Sequence, residues 1–462
     1  MIELNLQIYS NKIFLVDSNV DRTYKELLEN TNRMYEALQT YMENSIILVQ
    51  IKDRFKLACT ILALGRLEST YLLVNPQWSN CEIETVLKHT SSKIVITDNE
   101  ELLSLNNKRI KILSPSELLK AKAKQMSPSL IKLMGKVLMC TTGTTGEPKI
   151  VARTWESLFC EVDAVIERLH YTEQDHIFCL AQWTHSLGFV LHLLSGIRVG
   201  ARLITSSRLC SPSKWVHIMK REEVTIVVGV PTFYSFLVQV SGAKLNIKMG
   251  ISAGATLPRD IYEKFRINFS APLLQFYGCT ELGAITMQLP ECETKFPSLG
   301  RPLNNMQIHI VDEQGIPVKQ GEQGLICIKG DGLTHEILNK GNFISVEYEY
   351  KTGDQGILTE EDSLIVIGRN SQRIKINGLG LHPGEVEKVL QQHPNIMEAV
   401  VTAEEDIRRG TILVAYLRKK DKLPSELEIR NFCKQYLAPY KIPHRYIFVK
   451  NFERDEKGQV KL

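Results

Sequence analysis

The sequence lacks the features that mark several large classes of protein. Its ten cysteines are scattered singly without a C-x-x-C pair, which argues against a disulfide framework or a zinc site and predicts reduced thiols in cores. No apolar run reaches membrane-spanning length, and the N-terminal residues carry an early acid without an apolar stretch, so neither a membrane span nor a signal peptide is expected. The net charge of +4, from 56 basic and 52 acidic residues, gives no nucleic-acid signal. These absences predict a cytoplasmic protein without a nucleic-acid partner.

The composition that remains is that of a globular chain with more than one domain. Apolar residues make up 44% and charged residues 23% of the sequence, and 462 residues are too many for one ordinary core. Apolar runs typical of buried strands, at residues 46–49 and 71–74, alternate with helical patterns. The first helix begins at a capping box formed by Thr23 and Glu26. This alternation predicts βαβ crossovers and a mainly parallel sheet.

The pattern changes after residue 298. From about 298 to 368, short alternating strands and turns predict a β-rich subdomain, and after it the pattern is β-α-β with two helices. The predicted fold class is therefore α/β. A large N-terminal domain of mainly parallel βαβ-type sheets is expected at residues 1–368, including the β-rich subdomain, followed by a hinge at 369–373 and a small α+β C-terminal domain at 374–462.

A loop rich in glycine and threonine follows an apolar strand predicted at residues 136–139. The loop combines four hydroxyl side chains, two glycines and a lysine, which are Thr141, Thr142, Gly143, Thr144, Thr145, Gly146 and Lys149. Its backbone N–H groups, hydroxyls and single ammonium suit an anion. The spacing of its last glycine and its lysine is not that of the P-loop of nucleoside triphosphatases. A flexible surface loop is the alternative interpretation, and only motifs further along the chain favour the anion site.

Four further segments follow in a fixed order. They are Tyr277-Gly278-Cys279-Thr280-Glu281, Lys351-Thr352-Gly353-Asp354, Gly368-Arg369 and Ile374-Lys375-Ile376-Asn377-Gly378. Each is a common turn on its own, but the first follows a buried strand, where open α/β sheets bind ligands. In this order and spacing, together with the loop, they resemble the adenylate-forming superfamily of acyl-CoA synthetases, nonribosomal adenylation domains and luciferases. The resemblance covers roughly residues 20–460.

The resemblance implies an ATP- and Mg²⁺-dependent acid–thiol ligase that forms AMP. Such an enzyme activates a small-molecule carboxylic acid as an acyl-adenylate, releases pyrophosphate, and passes the acyl group to a thiol. Phosphoryl chemistry of this kind depends on positioning and on charge neutralisation. Coenzyme A is the favoured acceptor, and the phosphopantetheine arm of an acyl carrier protein is the alternative. The sequence gives neither the acid nor the oligomeric state.

The resemblance also assigns the nucleotide site. The phosphate loop matches Thr141, Thr142, Gly143, Thr144, Thr145, Gly146 and Lys149, the adenine slot matches Ala253, Gly254, Ala255 and Tyr277, and the ribose contacts match Asp354 and Arg369. Glu281 matches the magnesium-associated acid, and Thr280 is expected near the α-phosphate. A carboxylate that accepts two hydroxyl donors gains charge-assisted hydrogen bonds, which explains an acid at position 354. The alternatives are that Tyr277 is a core aromatic and that Asp354 forms a turn.

The acyl pocket is assigned from the segment that contains His185. His185 and Gly188 match the family's H-x-x-G motif, whose histidine borders the pocket and gates the carboxylate, although a satisfied core histidine is the alternative. Ser186 offers neither the charge that binds an α-ammonium nor the amide that binds a 2-hydroxyl in relatives, so a plain acyl or aryl acid is favoured. The predicted pocket comprises Trp183, His185, Ser186, Gly188 and Gly278. Trp183 and the neighbouring Phe189, Val190, Phe233 and Tyr234 indicate an apolar lining or equally a core.

In this family the small C-terminal domain rotates between two half-reactions. Ser371 falls at the hinge position, and Lys375 matches the segment that enters the site for thioester formation. Gln459 departs from the pattern, because it stands in register with the lysine that bridges the carboxylate and ATP oxygens. An amide carries no charge, and losing such a contact commonly costs about two orders of magnitude in rate. Three explanations stay open: Lys457 or Lys461 takes the role after a local shift, the lysine was replaced deliberately, or the protein is natively weak at adenylation. A non-catalytic nucleotide-binding homologue is a further alternative.

The C-terminal stretch 408–462 is basic. It holds 14 basic and 6 acidic residues, a net charge of +8 against +4 for the whole chain. This excess indicates either a solvated face or an anionic partner, such as a phosphorylated thiol cofactor or an acidic carrier protein.

Overall fold

A computed structural model of the chain describes most of its residues. The described ranges are 2–17, 20–41, 45–103, 110–121, 130–142, 148–207, 210–240, 245–290, 296–303, 306–329, 335–339, 342–345, 349–369, 374–376, 378–406, 409–420, 422–454 and 460–461. The chain divides into two compact units. The first contains Met1–Pro76, Thr90–Cys140 and Ile150–Asn370, and the second contains Gln77–His89, Thr141–Lys149 and Ser371–Leu462. The predicted domain division assigned residues 77–89 and 141–149 to the N-terminal domain, so the structural units differ from it at these two segments.

The first unit contains a sheet with eight described strands. In spatial order they are Asn342–Ser345, His335–Asn339, Pro148–Thr154, Lys136–Thr142, Thr70–Leu73, Ile47–Gln50, Ile94–Thr97 and Lys111–Leu113. The last five of these run parallel. Of these, Ile47–Gln50 and Ile94–Thr97 are buried at every residue, as expected for strands that are covered on both faces by crossover helices. The predicted strands at residues 46–49 and 71–74 are confirmed with a shift of one residue.

A second sheet of the first unit has nine described strands. In spatial order they are Arg301–Pro302, Gly283–Met287, Leu273–Cys279, Met249–Ser252, Ile226–Gly229, His176–Cys179, Arg202–Thr205, Ile13–Asp17 and Val20–Thr23. The six strands from the third to the eighth run parallel, and the outer ones are antiparallel to their neighbours. The predicted βαβ organisation is confirmed. The carboxyl ends of the parallel strands therefore meet at one edge of this sheet.

The described helices of the first unit do not all begin at a side-chain cap. They are Tyr24–Leu38, Arg54–Arg66, Glu100–Leu103, Pro115–Leu118, Trp155–Leu169, Ser186–Gly188, Ser195–Val199, Pro212–Arg221, Pro231–Leu237 and Arg259–Phe269, with a π-helical turn at Phe189–Leu194 and 3-10 turns at Leu6–Tyr9 and Gln39–Tyr41. The capping box of Thr23 and Glu26 is present, and Thr154 caps the helix that begins at Trp155. No helix in the described part of the chain is long and apolar enough to cross a membrane.

The region predicted to be a β-rich subdomain is built from strands, but they do not form one sheet. Four described strands, Gln307–Val311, Gly324–Lys329, Glu349–Leu358 and Leu364–Arg369, form an antiparallel sheet. The hairpin of His335–Asn339 and Asn342–Ser345 instead extends the eight-stranded sheet, and Arg301–Pro302 extends the nine-stranded one. Local alternation predicts a strand, but the choice of sheet depends on nonlocal pairing. A separate two-stranded ribbon pairs Ile2–Leu4 with Ile131–Leu133.

The second unit is a small α+β body. Its described strands are Ile374–Ile376, Leu379–Leu381, Ile396–Asp406, Gly410–Lys419, Arg445–Phe448, Glu453–Arg454 and Val460–Lys461, and its helices are Pro383–Gln391 and Glu426–Tyr436, with most of Asn80–Thr90 and a 3-10 turn at Pro439–Lys441. Helices Pro383–Gln391 and Glu426–Tyr436 each begin at a capping box and bury an apolar stripe against the three-stranded sheet. Within this unit, Lys441 is buried and forms ion pairs with Glu82 at 2.7 Å and Glu385 at 2.9 Å. The predicted fold class is confirmed.

Candidate active site

The predicted side chains of the first unit gather at the carboxyl edge of the nine-stranded sheet. Ala253 follows the strand Met249–Ser252 directly, and Tyr277 lies near the end of the neighbouring strand Leu273–Cys279. His185 belongs to the loop that follows the strand His176–Cys179, which is separated from Met249–Ser252 by one strand in the same sheet. Open α/β sheets bind ligands in the crevice outside the carboxyl ends of their strands. The topology therefore places three separately predicted motifs where such a ligand binds.

Tyr277 and Asp354 form a direct hydrogen bond across 77 residues of sequence. The Tyr277 hydroxyl donates to Asp354 Oδ2 at 2.6 Å, and Asp354 is only 9% exposed. The Asp354 backbone N–H donates to the Thr352 hydroxyl at 3.1 Å, which itself donates to the Ile326 carbonyl at 3.0 Å. Burial is the larger cause, and the charge of Asp354 the smaller, that raise the Tyr277 pKa well above its usual range. The phenol is therefore protonated and a donor at neutral pH. The structure thus joins the residue predicted for adenine to the residue predicted for ribose.

Arg369 occupies the strand position directly opposite Asp354. The two residues are Cα partners in the antiparallel pair Glu349–Leu358 and Leu364–Arg369. The backbone of Arg369 is described and its side chain is not, so the structure supports the pairing of the positions and leaves the predicted ribose contact as a prediction. Of the predicted adenine slot, Ala253 is buried, Ala255 is exposed, and Gly254 adopts φ +87°, a conformation that favours glycine.

Glu281 lies in a tight turn at the end of the strand that carries Tyr277. The carboxylate is almost completely buried, with 2% of the residue exposed. Burial, and then the charge of Glu281, raise the pKa of the Cys279 thiol, so this thiol is protonated and unreactive at neutral pH. Gly278 is required by packing, because a Cβ there would lie 2.3 Å from the Gly283 carbonyl oxygen. Thr280 is partly exposed beside the turn.

His185 contacts a side chain that follows the other large sheet. Its Nε2 lies 3.3 Å from Asn75 Nδ2, and Asn75 comes two residues after the strand Thr70–Leu73 of the eight-stranded sheet. The Asn75 amide nitrogen can only donate, so in this bond the His185 Nε2 is the unprotonated ring nitrogen and accepts. His185 is partly exposed and precedes the short helix Ser186–Gly188. The histidine therefore stands between the carboxyl ends of strands from two sheets, a place that fits the predicted gate.

The structure corrects the prediction that Trp183 lines the acyl pocket. Trp183 is 0% exposed, and its indole N–H donates to His192 Nδ1 at 3.0 Å. For the apolar neighbours, the structure agrees with the alternative of a core, because Phe189, Val190, Phe233 and Tyr234 are buried in the hydrophobic cores. An aromatic residue beside a motif has the same sequence signature in a pocket and in a core. Ser186 stays partly exposed, whereas Gly188 is buried and a Cβ there would lie 2.6 Å from the Gln182 carbonyl oxygen.

Two residues that hold this loop were not predicted. Arg54 is buried and donates to the carbonyls of Ala181 at 2.9 Å and Leu180 at 3.3 Å, and its guanidinium lies 5.4 Å from the Trp183 ring centroid. His192 shares a 2.9 Å hydrogen bond with the Ile177 carbonyl. Burial is the larger cause, and the charge of Arg54 the smaller, that lower the pKa of His192 to about 3. The imidazole is therefore neutral at neutral pH. The only sequence signal was a lone arginine at the start of an apolar helix.

The remaining predicted residues belong to the second unit or lie outside the described residues. Lys149 is partly buried at the start of Pro148–Thr154, and Lys375 is partly buried in Ile374–Ile376. The backbones of Thr141 and Thr142 form the end of Lys136–Thr142, and their side chains are not described. Gly143, Thr144, Thr145, Gly146, Ser371 and Gln459 lie outside the described residues.

The donor set can be tested against the predicted Mg²⁺. Among the described residues, no group of three or more His, Cys, Asp or Glu side chains could hold a metal ion by itself. Mg²⁺ bound to a nucleotide needs less, because it takes one or two carboxylates together with phosphate oxygens and water. Glu281 offers one such carboxylate in a buried turn. Within the described ranges, the residues therefore fit a magnesium–nucleotide complex and do not fit a metal bound by protein ligands alone.

Comparison with known proteins decides the family. A family model described as AMP-binding enzyme matches residues 2–338, and a second, AMP-binding enzyme C-terminal domain, matches residues 385–459. The chain belongs to the AMP-binding enzyme family. Members of this family that resemble it include 2-succinylbenzoate–CoA ligase from Bacillus subtilis (strain 168), 27% identical over 98% of this chain and 94% of the relative. Another is 4-coumarate–CoA ligase 4 from Arabidopsis thaliana, 24% identical over 98% of this chain and 87% of the relative.

A solved structure of a family member has the same fold. It is a double mutant of o-succinylbenzoate CoA synthetase from Bacillus subtilis bound with its product analogue OSB-NCoA, and it covers 100% of this chain and 98% of its own at a TM-score of 0.87 and 26% identity. The predicted adenylate-forming family and its enzyme class, an AMP-forming acid–thiol ligase, are confirmed. The acid and the acceptor are separate questions.

Proposed function

We propose that this enzyme activates an aromatic carboxylic acid with ATP and Mg²⁺ as an acyl-adenylate and transfers the acyl group to coenzyme A. The observation that carries the proposal is the hydrogen bond between Tyr277 and Asp354 beside the buried Glu281, at the carboxyl edge of a parallel sheet. A protein that bound only a partner would have no physical need for this constellation. The CoA ligases that the chain resembles extend over nearly its whole length.

In the proposed complex, the Tyr277 ring packs against adenine and its hydroxyl orients Asp354 toward the ribose hydroxyls. Asp354 accepts one hydrogen bond from the phenol at 2.6 Å, and a carboxylate has further lone pairs for a second donor. Because Asp354 is almost buried, its hydrogen bonds are formed in a medium where they are stronger than in water. This pair therefore sets the position of the nucleoside.

The phosphates would be held by the glycine- and threonine-rich loop and Lys149, with Thr280 near the α-phosphate. Glu281 would hold the Mg²⁺, which neutralises phosphate charge when it is bound. His185, held near Asn75, would border the carboxylate of the acid. Lys375 would serve the thioester half-reaction, and Gln459 stands where the family carries its bridging lysine. The chain's own contribution is thus to position nucleotide, acid and thiol.

The substrate class follows from Ser186 and from the relatives. Serine supplies neither a carboxylate for an α-ammonium nor an amide for a 2-hydroxyl, so a plain acid is favoured over an amino acid. The relatives named above act on 2-succinylbenzoate and 4-coumarate, both aromatic acids. The second candidate function is the loading of an acyl or aryl group onto a carrier protein, which the net charge of +8 in residues 408–462 favours equally, because an acidic carrier would complement it.

The test is carboxylate-dependent release of pyrophosphate, screened over aromatic, fatty and amino acids, with Gln459→Lys measured alongside. Release with aromatic acids supports the proposal, and a preference for amino acids contradicts the substrate class. AMP formation with CoA, compared with a phosphopantetheinylated carrier protein, separates the two acceptors. Release only from Gln459→Lys assigns the native weakness to that side chain, since a lysine restores the charge-assisted contact. No release from either form, with ATP still bound, leaves the non-catalytic homologue.

Asp354→Asn supplies a second test of the same site. The amide removes the charge that strengthens the ribose contacts, so the KM for ATP is expected to rise about tenfold or more. Asp362→Asn is the matched control, because Asp362 belongs to an exposed turn of the same antiparallel sheet region and accepts from Gln320 at 3.0 Å. Equal ATP dependence in the two variants would contradict the ribose assignment.

A further inference from the structure

A buried ion pair in the first unit is not part of the predicted site. Arg153 lies in the strand Pro148–Thr154, and Glu161 lies in the helix Trp155–Leu169 that follows. Their side chains are 6% and 5% exposed. Arg153 donates through Nη1 to Glu161 Oε2, and through Nε and Nη2 to the Ser157 hydroxyl at 3.2 and 3.0 Å. The guanidinium of Arg153 is thus held by hydrogen bonds from all three of its nitrogens.

The other oxygen of Glu161 accepts a hydrogen bond from the strand that directly follows the turn of Glu281. The Ala284 backbone N–H donates to Glu161 Oε1 at 2.7 Å, across 123 residues of sequence. Gly283 has φ +77°, and a Cβ there would lie 2.1 Å from Glu161 Oε2. The carboxylate therefore occupies the space that a side chain at position 283 would need. Gly283 and Ala284 begin the strand that directly follows the turn of Glu281, so the Glu161 carboxylate fixes the backbone where this turn ends.

Stability alone is a weak reason for such a pair. Desolvating two ions costs several kcal/mol, and a buried pair can often be replaced by apolar residues without loss. A charge-assisted hydrogen bond to a backbone N–H is, however, shorter and stronger than a neutral one, and it fixes geometry. The pair also lies close to one predicted site residue, because Ala284, whose N–H it binds, follows Glu281 by three residues. Its position therefore suits the orientation of the segment that carries Glu281.

We infer that Glu161, held by Arg153, is a positioning residue for Glu281, and that it sets the affinity of the enzyme for the magnesium–nucleotide complex. This inference rests on the proposed function, in which Glu281 holds the metal. Groups that orient a metal ligand typically contribute about 10- to 100-fold to metal affinity or activity when they are removed. Glu161 is 5% exposed and both of its oxygens are bound by Arg153 and the Ala284 N–H, so its effect is expected in the Mg²⁺ dependence and not in binding of the nucleoside.

The test compares Glu161→Gln with Asp163→Asn. Both substitutions turn a carboxylate of the same helix into an amide, but Asp163 is 51% exposed and pairs with Arg198 on the surface. Four quantities are measured: the Mg²⁺ concentration for half-maximal carboxylate-dependent ATP–pyrophosphate exchange, the Kd for Mg²⁺–α,β-methylene ATP, the Kd for AMP, and thermal stability. Glu161→Gln is expected to raise the first two by about 10-fold or more and to leave the Kd for AMP unchanged. Asp163→Asn should leave all four as in the native protein.

Two further variants separate positioning from folding. Glu161→Asp keeps the charge but is one methylene shorter, so it cannot reach Arg153 and the Ala284 N–H together. It should raise the Mg²⁺ requirement and the Kd for the Mg²⁺ complex, but by less than Glu161→Gln does. It replaces Glu161→Gln if that variant does not fold. Gly283→Ala places a methyl group against the Glu161 carboxylate and should raise the Mg²⁺ requirement independently. A folded Glu161→Gln or Glu161→Asp with the native Mg²⁺ requirement would overturn the inference, as would a loss of stability with equal losses for AMP and the Mg²⁺ complex.

The outcomes also distinguish this inference from the proposed function. If the native protein shows no carboxylate-dependent exchange with any acid, the proposed function fails. The inference is then decided by nucleotide binding alone: a selective loss of affinity for the Mg²⁺ complex in Glu161→Gln supports it, and equal affinity for both ligands contradicts it. If exchange is robust and the Glu161 variants match the control, only the inference fails.

Discussion

Removing a single oxygen atom, in Tyr277→Phe, tests the nucleoside site most directly. The substitution keeps the ring that is proposed to pack against adenine and removes the hydroxyl that lies 2.6 Å from Asp354 Oδ2. Because Asp354 is only 9% exposed, water cannot fully replace the lost donor. A hydrogen bond to a charged group contributes about 1.5–3 kcal/mol, and every 1.4 kcal/mol is a factor of ten in affinity. Because the bond is also present without ATP, part of this energy is lost from the free protein, and the loss in ATP affinity has an upper limit of about 10- to 100-fold.

The assay measures the KM for ATP and for its ribose-dideoxy analogue in pyrophosphate exchange. The native enzyme should discriminate against the analogue, and Tyr277→Phe should lose both ATP affinity and part of this discrimination, because a misplaced Asp354 no longer meets the ribose hydroxyls. Tyr416→Phe is the matched control, since the Tyr416 hydroxyl donates to Glu404 Oε1 at 3.1 Å in the second unit. Unchanged KM values and unchanged discrimination in Tyr277→Phe would refute the assignment of this pair to the nucleoside.

Two further predictions concern stability. Lys441→Met leaves the mostly buried carboxylates of Glu82 and Glu385 without their cation, so the free energy of unfolding, measured in urea, should fall by about 3–5 kcal/mol. The exposed control Lys434→Met should lower it by less than about 1 kcal/mol. Equal losses in the two variants would contradict the role of the ion pairs. His192 has a pKa of about 3 in the fold and about 6.5 when unfolded, so the unfolded state binds the extra proton and stability should fall as pH drops below 6.5, by roughly 2 kcal/mol at pH 5. His192→Gln should flatten this dependence, and a slope equal to that of the native protein would show that His192 is not the titrating group.

Sequence reasoning succeeded where the determining interactions are local. The capping box of Thr23 and Glu26 joins residues three apart, and it formed as predicted. Apolar runs became buried parallel strands, because their periodicity and length leave few alternatives. The order of the motifs was enough to identify the family. These features depend on neighbours along the chain and are therefore legible in the sequence.

Only the tertiary structure decided which side chains meet. The sequence predicts Trp183 in a pocket with a core as the alternative, and the fold buries it in contact with His192 and Arg54, because nothing local distinguishes the two outcomes. The bond between Tyr277 and Asp354 spans 77 residues, and the bond from the Ala284 N–H to Glu161 spans 123. Such contacts depend on strand order and register in the sheets, which nonlocal pairing sets. The sequence by itself therefore determined the family and the predicted nucleotide residues, and the fold determined which side chains hold them in place.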